Sequence, residues 1–370
     1  MKYWRGYLVA AIIAAISGAL VAFAQTHTAL VDMIYPYMTR IIISGLADWS
    51  SAASFCVWNV IVLVAVAALL TSIVLMIILR WNPIQLLGWV LAVVSLSNLF
   101  STVVYGLNTY TGPLADDIRL EVSEYTVSEL NEATLYFRDQ ANLYAAKMER
   151  TDGGDPDFAD FEVLAQQAGE GFEILTYEEA ISVFAGSTAP VKPMKLSGDT
   201  LSKTLPLTGE CVVDPDTPDL LLPVVMCKEM AKRMSIYADS DATFAAFLAC
   251  KANSSDEFRY AAYCAAYYYC YAALESIPTS TAQACAAQAS VGANPRLQHD
   301  LRLCMDFAPG KVAEDDDAVA DLLTSWYIQY FITPLHQEEE EPFNPLDSTQ
   351  VDLEYVPPVP TPLPEEEDEE

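Results

Sequence analysis

Three stretches within the first 106 residues carry no charged side chain, and each is long enough to cross a hydrocarbon core of about 30 Å as a helix. Residues 7–24 form an apolar run of 18 residues preceded by Lys2 and Arg5. Residues 55–79 form a second run, broken only by Asn59 and a few hydroxyls, and residues 84–106 a third, with Gln85 at its start and Asn98 within it as strongly polar side chains. A helix of a soluble core keeps a polar face, and none of these does. The first run also has a signal-peptide feature, because Ala22-Phe23-Ala24 resembles an A-x-A cleavage site. Its length exceeds the usual apolar core of about 7–15 residues, which favours an uncleaved anchor. Lys2 and Arg5 hold the N-terminus in the cytoplasm, and Arg80 marks a short inner turn, Arg80-Trp81-Asn82-Pro83. Residues 25–54 and everything from about 107 onward are then expected outside the cytoplasm.

The remaining composition fits that division. The chain has 370 residues, a formal charge of −31 and 53% apolar residues, a combination that points to two populations rather than one average domain. After Lys311 there is neither Lys nor Arg, while Asp and Glu continue to Glu370. With 19 basic residues spread along the sequence, no cluster suits a phosphate backbone, so nucleic acid is not an expected partner; the lipid bilayer is. Eight cysteines occur: Cys56 within an apolar run, and Cys211, Cys227, Cys250, Cys264, Cys270, Cys285 and Cys304 beyond. No CxxC pair is among them, so zinc-ribbon and thioredoxin-like readings lack support. An odd outer set cannot pair completely; a disulfide such as Cys285–Cys304 and free buried thiols both remain open.

The outer region reads as mostly helical. Thr126 followed by Glu129 is a capping box for a helix to about Met148, ended by Thr151-Asp152-Gly153-Gly154-Asp155-Pro156. Short helices are expected near 157–168 and 176–184, a small sheet within 189–213, and further helices near 218–236, 240–253, 256–275, 294–306 and 314–332. The helix near 256–275 holds Tyr260, Tyr263, Tyr267, Tyr268, Tyr269 and Tyr271, more often a core pattern than a sugar- or peptide-binding one. Residues 336–370 combine Glu338 to Glu341, prolines between 357 and 364, and a terminal run of acids, the composition of a disordered tail.

Cys227-Lys228-Glu229-Met230-Ala231-Lys232 poses the functional question. On a helix, Lys228 and Lys232 lie one turn apart on one face, opposite Leu222, Met226, Met230 and Met234. Taken alone, Lys228, Glu229, Lys232 and Arg233 form an ordinary solvated face.

Ile34-Tyr35-Pro36-Tyr37, Tyr105-Gly106-Leu107-Asn108-Thr109-Tyr110, Val191-Lys192-Pro193-Met194-Lys195-Leu196-Ser197, Thr208-Gly209-Glu210 and above all residues 222–274, including Glu257-Phe258-Arg259-Tyr260, give the chain a likeness. Over about residues 30–330 it resembles the bacterial membrane family named domain of unknown function 3810, whose members look like zinc metallopeptidases. The resemblance implies a zincin-like outer domain and an HExxH helix, followed nine residues on by an acidic ligand. Here those metal-ligand positions fall on Lys228, Lys232 and Asp241, while Glu229 keeps the general-base position. An ammonium offers donors and no lone pair, so two lysines cannot replace two imidazoles on Zn²⁺, and Glu229 then has no activated water to deprotonate. His27, His299 and His336 do not form a replacement set.

The resulting expectation is a mainly α membrane protein. It has a membrane anchor at 1–106, an extracytoplasmic, helix-rich α+β zincin-like domain at 107–335, and a disordered acidic tail at 336–370. The expected function is that of a zinc-free pseudopeptidase acting as a binding or regulatory module, with an extracytoplasmic peptide or cell-wall ligand. Glu229 and Asp241 are expected to pair with the two lysines. The alternatives are a hydrolase working by another mechanism, for which Lys195 and Ser197 are close in sequence and Glu229 is available but no S-x-x-K or nucleophile-elbow signature occurs, and a structural membrane protein presenting its tail.

Overall fold

The computed structural model describes residues 4–197, 200–307 and 316–333. The chain is mainly helical. Its three long apolar helices are α1 (Arg5–Thr26), α3 (Val57–Ile78) and α4 (Pro83–Val104), each long and apolar enough to cross a membrane. Asn82 caps α4 by accepting from the Ile84 N–H at 2.9 Å, and Pro83 stands in its first turn, where an N–H is not needed. α1 and α4 touch where Gly6 meets Gly88; a Cβ on Gly6 would lie 2.5 Å from the Gly88 carbonyl carbon, so only small residues permit this crossing. No residue of α3 is buried.

Between α1 and α3 the sequence reading assigned no element. The structure forms a 24-residue helix there, α2 (Thr28–Ser51), with Pro36 inside it. Asp32, Arg40 and Asp48 break the run of apolar residues, so hydropathy alone hides it. Thr39 Oγ1 donates to the Tyr35 carbonyl at 2.9 Å, and Ser235 Oγ to the Pro36 carbonyl at 3.2 Å, supplying donors around the proline.

Beyond the apolar helices come α5 (Leu114–Ile118), α6 (Val127–Lys147), α7 (Phe161–Gln167) and α8 (Glu170–Tyr177). The capping box at Thr126 and Glu129 is present at α6. The helix expected near 176–184 is instead α8, which ends at Tyr177 and is followed by a single 3₁₀ turn, Ser182–Phe184. The small sheet has three strands, β1 (Lys192–Pro193), β2 (Ser202–Leu205) and β3 (Glu210–Val213), in the order β1-β3-β2; β1 runs parallel and β2 antiparallel to β3. Then follow α9 (Leu222–Arg233), α10 (Asp239–Ala252), α11 (Asp256–Ser276), α12 (Ser280–Gly292), α13 (Pro295–Phe307) and α14 (Asp316–Tyr327). α12 had not been expected: its Ala, Ser and Gln composition has no apolar stripe, yet Thr279 caps it by accepting from Ala282 N.

One core runs through α6, α8, α9, α10, α11 and α14, built on Phe137, Phe172, Phe244, Phe258 and Met230. The tyrosines of α11 largely belong to it. Tyr260 is fully buried and donates to Asp300, which also receives Arg150 Nη1 at 2.6 Å. Cys56 lies just ahead of α3, not inside it, buried against the sheet with Leu205 and Val212. All eight cysteines, Cys285 and Cys304 included, are free thiols. The expected tail, 336–370, lies outside the described residues, as does His336.

A buried ion pair joins the sheet to the segment that leads from α2 into α3. Lys192 Nζ donates to Glu210 Oε1 at 2.8 Å and to the carbonyls of Ser50 and Phe55 at 2.8 and 2.9 Å. Glu210 in turn accepts the N–H groups of Val57 and Trp58 at 2.7 and 2.9 Å, capping the start of α3. Burial raises the Glu210 carboxyl, but Lys192 and the two backbone donors outweigh it and hold it below the usual carboxylate range. The neighbouring turn sets the sheet on α2. Gly209 has φ +67°, and a Cβ there would meet the Ala47 nitrogen at 2.5 Å. Replacing Gly209 by Ala is therefore expected to destabilise the fold by about 2–3 kcal/mol, from the left-handed strain and the clash together. Thermal unfolding of the purified full chain measures it, and an unchanged melting temperature would contradict this account of the α2–sheet contact.

Candidate functional site on α9

The local chain explains why α9 starts and stops where it does. Pro223 lies in its first turn, where its fixed φ suits the helix, and Ser235 ends the following turn with φ +75°. That left-handed step reverses the chain, so that α10 begins against the flank of α9. Asp239, in the first turn of α10, comes to lie over the two lysines.

Lys228 Nζ reaches Asp239 Oδ2 at 2.6 Å and Lys232 Nζ reaches Asp239 Oδ1 at 2.5 Å. One carboxylate thus bridges two ammonium groups, each oxygen taking one. Glu229 lies alongside, 1% exposed. Ser202 Oγ donates to its Oε1 at 2.8 Å and Thr204 Oγ1 to its Oε2 at 2.7 Å, while Lys232 Nζ stands 3.6 Å from Oε1. Ser202 and Thr204 alternate along β2, so both point to the same side of the strand, toward α9. The solvated face expected for this helix is therefore partly an interior one, because the sheet covers it: Glu229 and Arg233 are buried, and Arg233 Nη2 donates to the carbonyls of Ser187 and Ala189, each at 2.7 Å.

Asp239 is acted on in opposite directions. Burial raises its carboxyl, but Lys228 and Lys232 outweigh burial and hold it below the ordinary range. Burial lowers the Lys232 ammonium, but Glu229 and Asp239 outweigh it and hold it above the ordinary lysine range. Two ammonium and two carboxylate groups balance in charge here, and they front a cavity of about 280 Å³. Its other wall is apolar, with Leu220, Leu221, Val224, Val225 and Leu301.

Of the four residues singled out in the sequence, the structure brings Lys228, Glu229 and Lys232 together and leaves Asp241 elsewhere. Two positions further along α10, Asp241 points away from the lysines and accepts from the Leu114 N–H at 2.9 Å. It belongs to a second cavity, of about 540 Å³, bordered also by Asp32, Arg40, Asn108 and Asp117. The pairing expected of Asp241 is made by Asp239 instead. The nine-residue spacing carried over from the family motif misses this because the residue that returns to the lysines is chosen by the turn at Ser235. Ser202 and Thr204 were not singled out either; no signal in their local sequence marks them as partners of Glu229.

The donor set does not suit zinc. Lys228 and Lys232 have no lone pair to give while protonated, Glu229 spends both oxygens on hydroxyls, and Asp239 is held by the lysines. Among the described residues, no three His, Cys, Asp or Glu side chains converge as a ligand set. His27 accompanies Phe23 and Thr26 at the end of α1, and His299 contacts Asp155 at 2.8 Å, both away from the cavity. Lys195 pairs with Asp214 and Asp216, and Ser197 is exposed, so these two do not form a nucleophile and base.

The sequence profile of a family described as "Protein of unknown function (DUF3810)" matches residues 31–323, and the chain belongs to that family. No curated protein and no solved structure matches it.

The bridging carboxylate yields a prediction. Replacing Asp239 by Asn leaves Lys228 and Lys232 facing each other and is expected to cost about 1 kcal/mol for so exposed a group, roughly 2–4 °C in melting temperature. Because the folded carboxyl titrates below its unfolded value of about 3.9, its contribution is present above that pH and is lost as pH falls through the folded value. The gap between wild type and Asp239→Asn should hold from about pH 5 to 9 and close below about pH 4. A gap that persists into acid would show that the ion pairs do not act as drawn.

Proposed function

We propose that this member of the DUF3810 family is a membrane-anchored, extracytoplasmic pseudopeptidase: a binding or regulatory module on a peptidase-like helix that has given up its zinc. The observation that carries the reading is the Asp239 carboxylate bridged by Lys228 and Lys232, with Glu229 capped by Ser202 and Thr204 beside it. Lysines at the places where a zincin helix puts imidazoles would leave a cation-binding pocket over-charged; here an acidic residue compensates them and the hollow persists. A site of that kind keeps shape and polarity without a hydrolytic centre.

The proposed ligand follows from the walls. A slot with aliphatic side chains along one flank and paired charges along the other suits an extended peptide, which offers an apolar side chain to Val224 and Leu301 and backbone polar groups to the charged side. Peptides of the cell wall or of other extracytoplasmic proteins have that chemistry. The outward placement rests on Lys2 ahead of α1, Arg5 at its first position and Arg80 between α3 and α4, the basic flanks that stay cytoplasmic.

Elemental analysis of the full chain, purified in detergent and supplied with zinc, should find far less than one equivalent bound. One equivalent that disappears in Glu229→Gln would sink the reading. Replacing Lys228 and Lys232 together by His should raise zinc binding measurably, with Asp239 freed as a third ligand. Separately, Val225→Trp should fill the slot, keep a single cooperative unfolding transition, and abolish binding of wall-derived peptides that the wild type retains. Binding unaffected by that substitution would place the ligand somewhere else.

A further inference from the structure

The two faces of α2 are unlike. Its inner residues Val31, Thr39, Ile43, Ala47 and Ser50 are buried against the rest of the protein. Along the outer side, Leu30, Ile34, Tyr37, Met38, Ile41 and Trp49 recur at helical spacing and are exposed, Tyr37 at 68% and Trp49 at 64%. A continuous apolar stripe of this kind is rare on a surface that meets only water.

The charged side chains of α2 sharpen the contrast, because each is turned back to protein. Asp32 accepts the Gly112 N–H at 2.7 Å. Arg40 donates to the carbonyls of Met234 and Ser182 at 3.1 and 3.0 Å. Asp48 accepts from Ser187 Oγ at 2.5 Å. The outward stripe is left with aliphatic, methionine and aromatic groups.

Chain connectivity names the occupant. Gly6 beside Gly88 and Ser17 beside Thr102 make α1 and α4 parallel, and the four-residue turn 79–82 returns α3 into α4; if these helices cross the bilayer, the end of α1 at Thr26 and the start of α3 at Val57 therefore lie at the same interface. One residue joins α1 to α2, and five, residues 52–56, join α2 to α3. A 24-residue helix is about 36 Å long, while five extended residues reach about 17 Å, so α2 cannot stand upright on the membrane and return. It has to lie along the surface, and tyrosine and tryptophan on its outer side are the aromatic residues that favour the headgroup level.

We propose that α2 is an in-plane interfacial helix, with its Leu30-Ile34-Tyr37-Met38-Ile41-Trp49 stripe seated in the headgroup–acyl boundary of the bilayer and its inner face carrying the outer domain. This rests on α1, α3 and α4 being membrane spans. A second copy of the chain is the competing occupant. It does not explain why the stripe belongs to the one helix tied at both ends to apolar segments.

Depth measurement by spin-label relaxation tests it on the full chain, in a Cys285→Ser background, reconstituted into vesicles of phosphatidylcholine and phosphatidylglycerol. Labels go at Met33→Cys and Ile41→Cys on the outer side of α2, at Val64→Cys within α3, and at Val291→Cys as an aqueous reference. The expected result is that 33 and 41 lose most of the relaxation by an aqueous nickel chelate seen at 291, gain relaxation by oxygen, and read shallower than 64. Labels at 33 and 41 as open to nickel as 291, with 64 deep in lipid, would overturn the proposal while leaving the spans intact. Shielding of 33 and 41 from both reagents would also overturn it, in favour of a protein occupant. An aqueous signal at 64 would remove the span reading itself, and the interfacial helix with it.

Discussion

The Lys192–Glu210 pair is the interaction on which the relation between the helix-rich part beyond α4 and the apolar helices depends. Burying two opposite charges is unfavourable unless their remaining hydrogen-bonding capacity is met, and here it is met by backbone. Lys192 takes two carbonyls from the chain that leads into α3, and Glu210 takes two N–H groups from its first turn. Neither residue could lose its partner without leaving an uncompensated buried charge. The strands that carry them are only two and four residues long. The sheet is therefore less a core element than a plate that clasps the start of α3 on one edge and supports α9 through β2.

The same plate explains the polarity of the cavity. With Ser202 and Thr204 both facing α9, Glu229 can be buried and still have each oxygen occupied. With the turn at Ser235 sending α10 back across the flank, Asp239 can neutralise two lysines at once. The site is consequently a closed set of pairings rather than an assembly of free groups awaiting a metal. The end of α4 also borders this region: the Tyr105 ring meets Tyr237 edge-on at 5.3 Å. α9 is thus flanked both by the sheet and by the chain at the end of α4.

Much of this was legible in the residues, and the exceptions are physical. The three apolar helices declare themselves because each run stays uncharged over the length of a bilayer-spanning helix. The cap at Thr126 and Glu129 is local chemistry and appears as written. Lys228, Glu229 and Lys232 share a face by helical period alone. What stayed hidden depends on distant pairing. Glu229 looks solvated until β2 covers it, and Lys192 and Glu210 look like two surface charges until the chain ahead of α3 folds over them. α2 stayed hidden because its three charges and one proline interrupt hydropathy, although each charge is used against the protein. Asp241 was favoured over Asp239 because spacing was carried over from a motif, whereas a single left-handed residue decides which aspartate turns back.

The thiols carry a last consequence. Cys211, Cys270 and Cys304 are pushed by burial up to about 11, 12 and 12, and burial likewise raises Cys250 and Cys264 far above the ordinary value. Since the thiolate is the form that attacks disulfides and reacts with peroxides, these sulfurs are nearly inert at neutral pH. These five sulfurs therefore neither cross-link the helices around them nor need a reducing compartment to protect them, and the half-buried Cys285 is left as the thiol most open to a reagent.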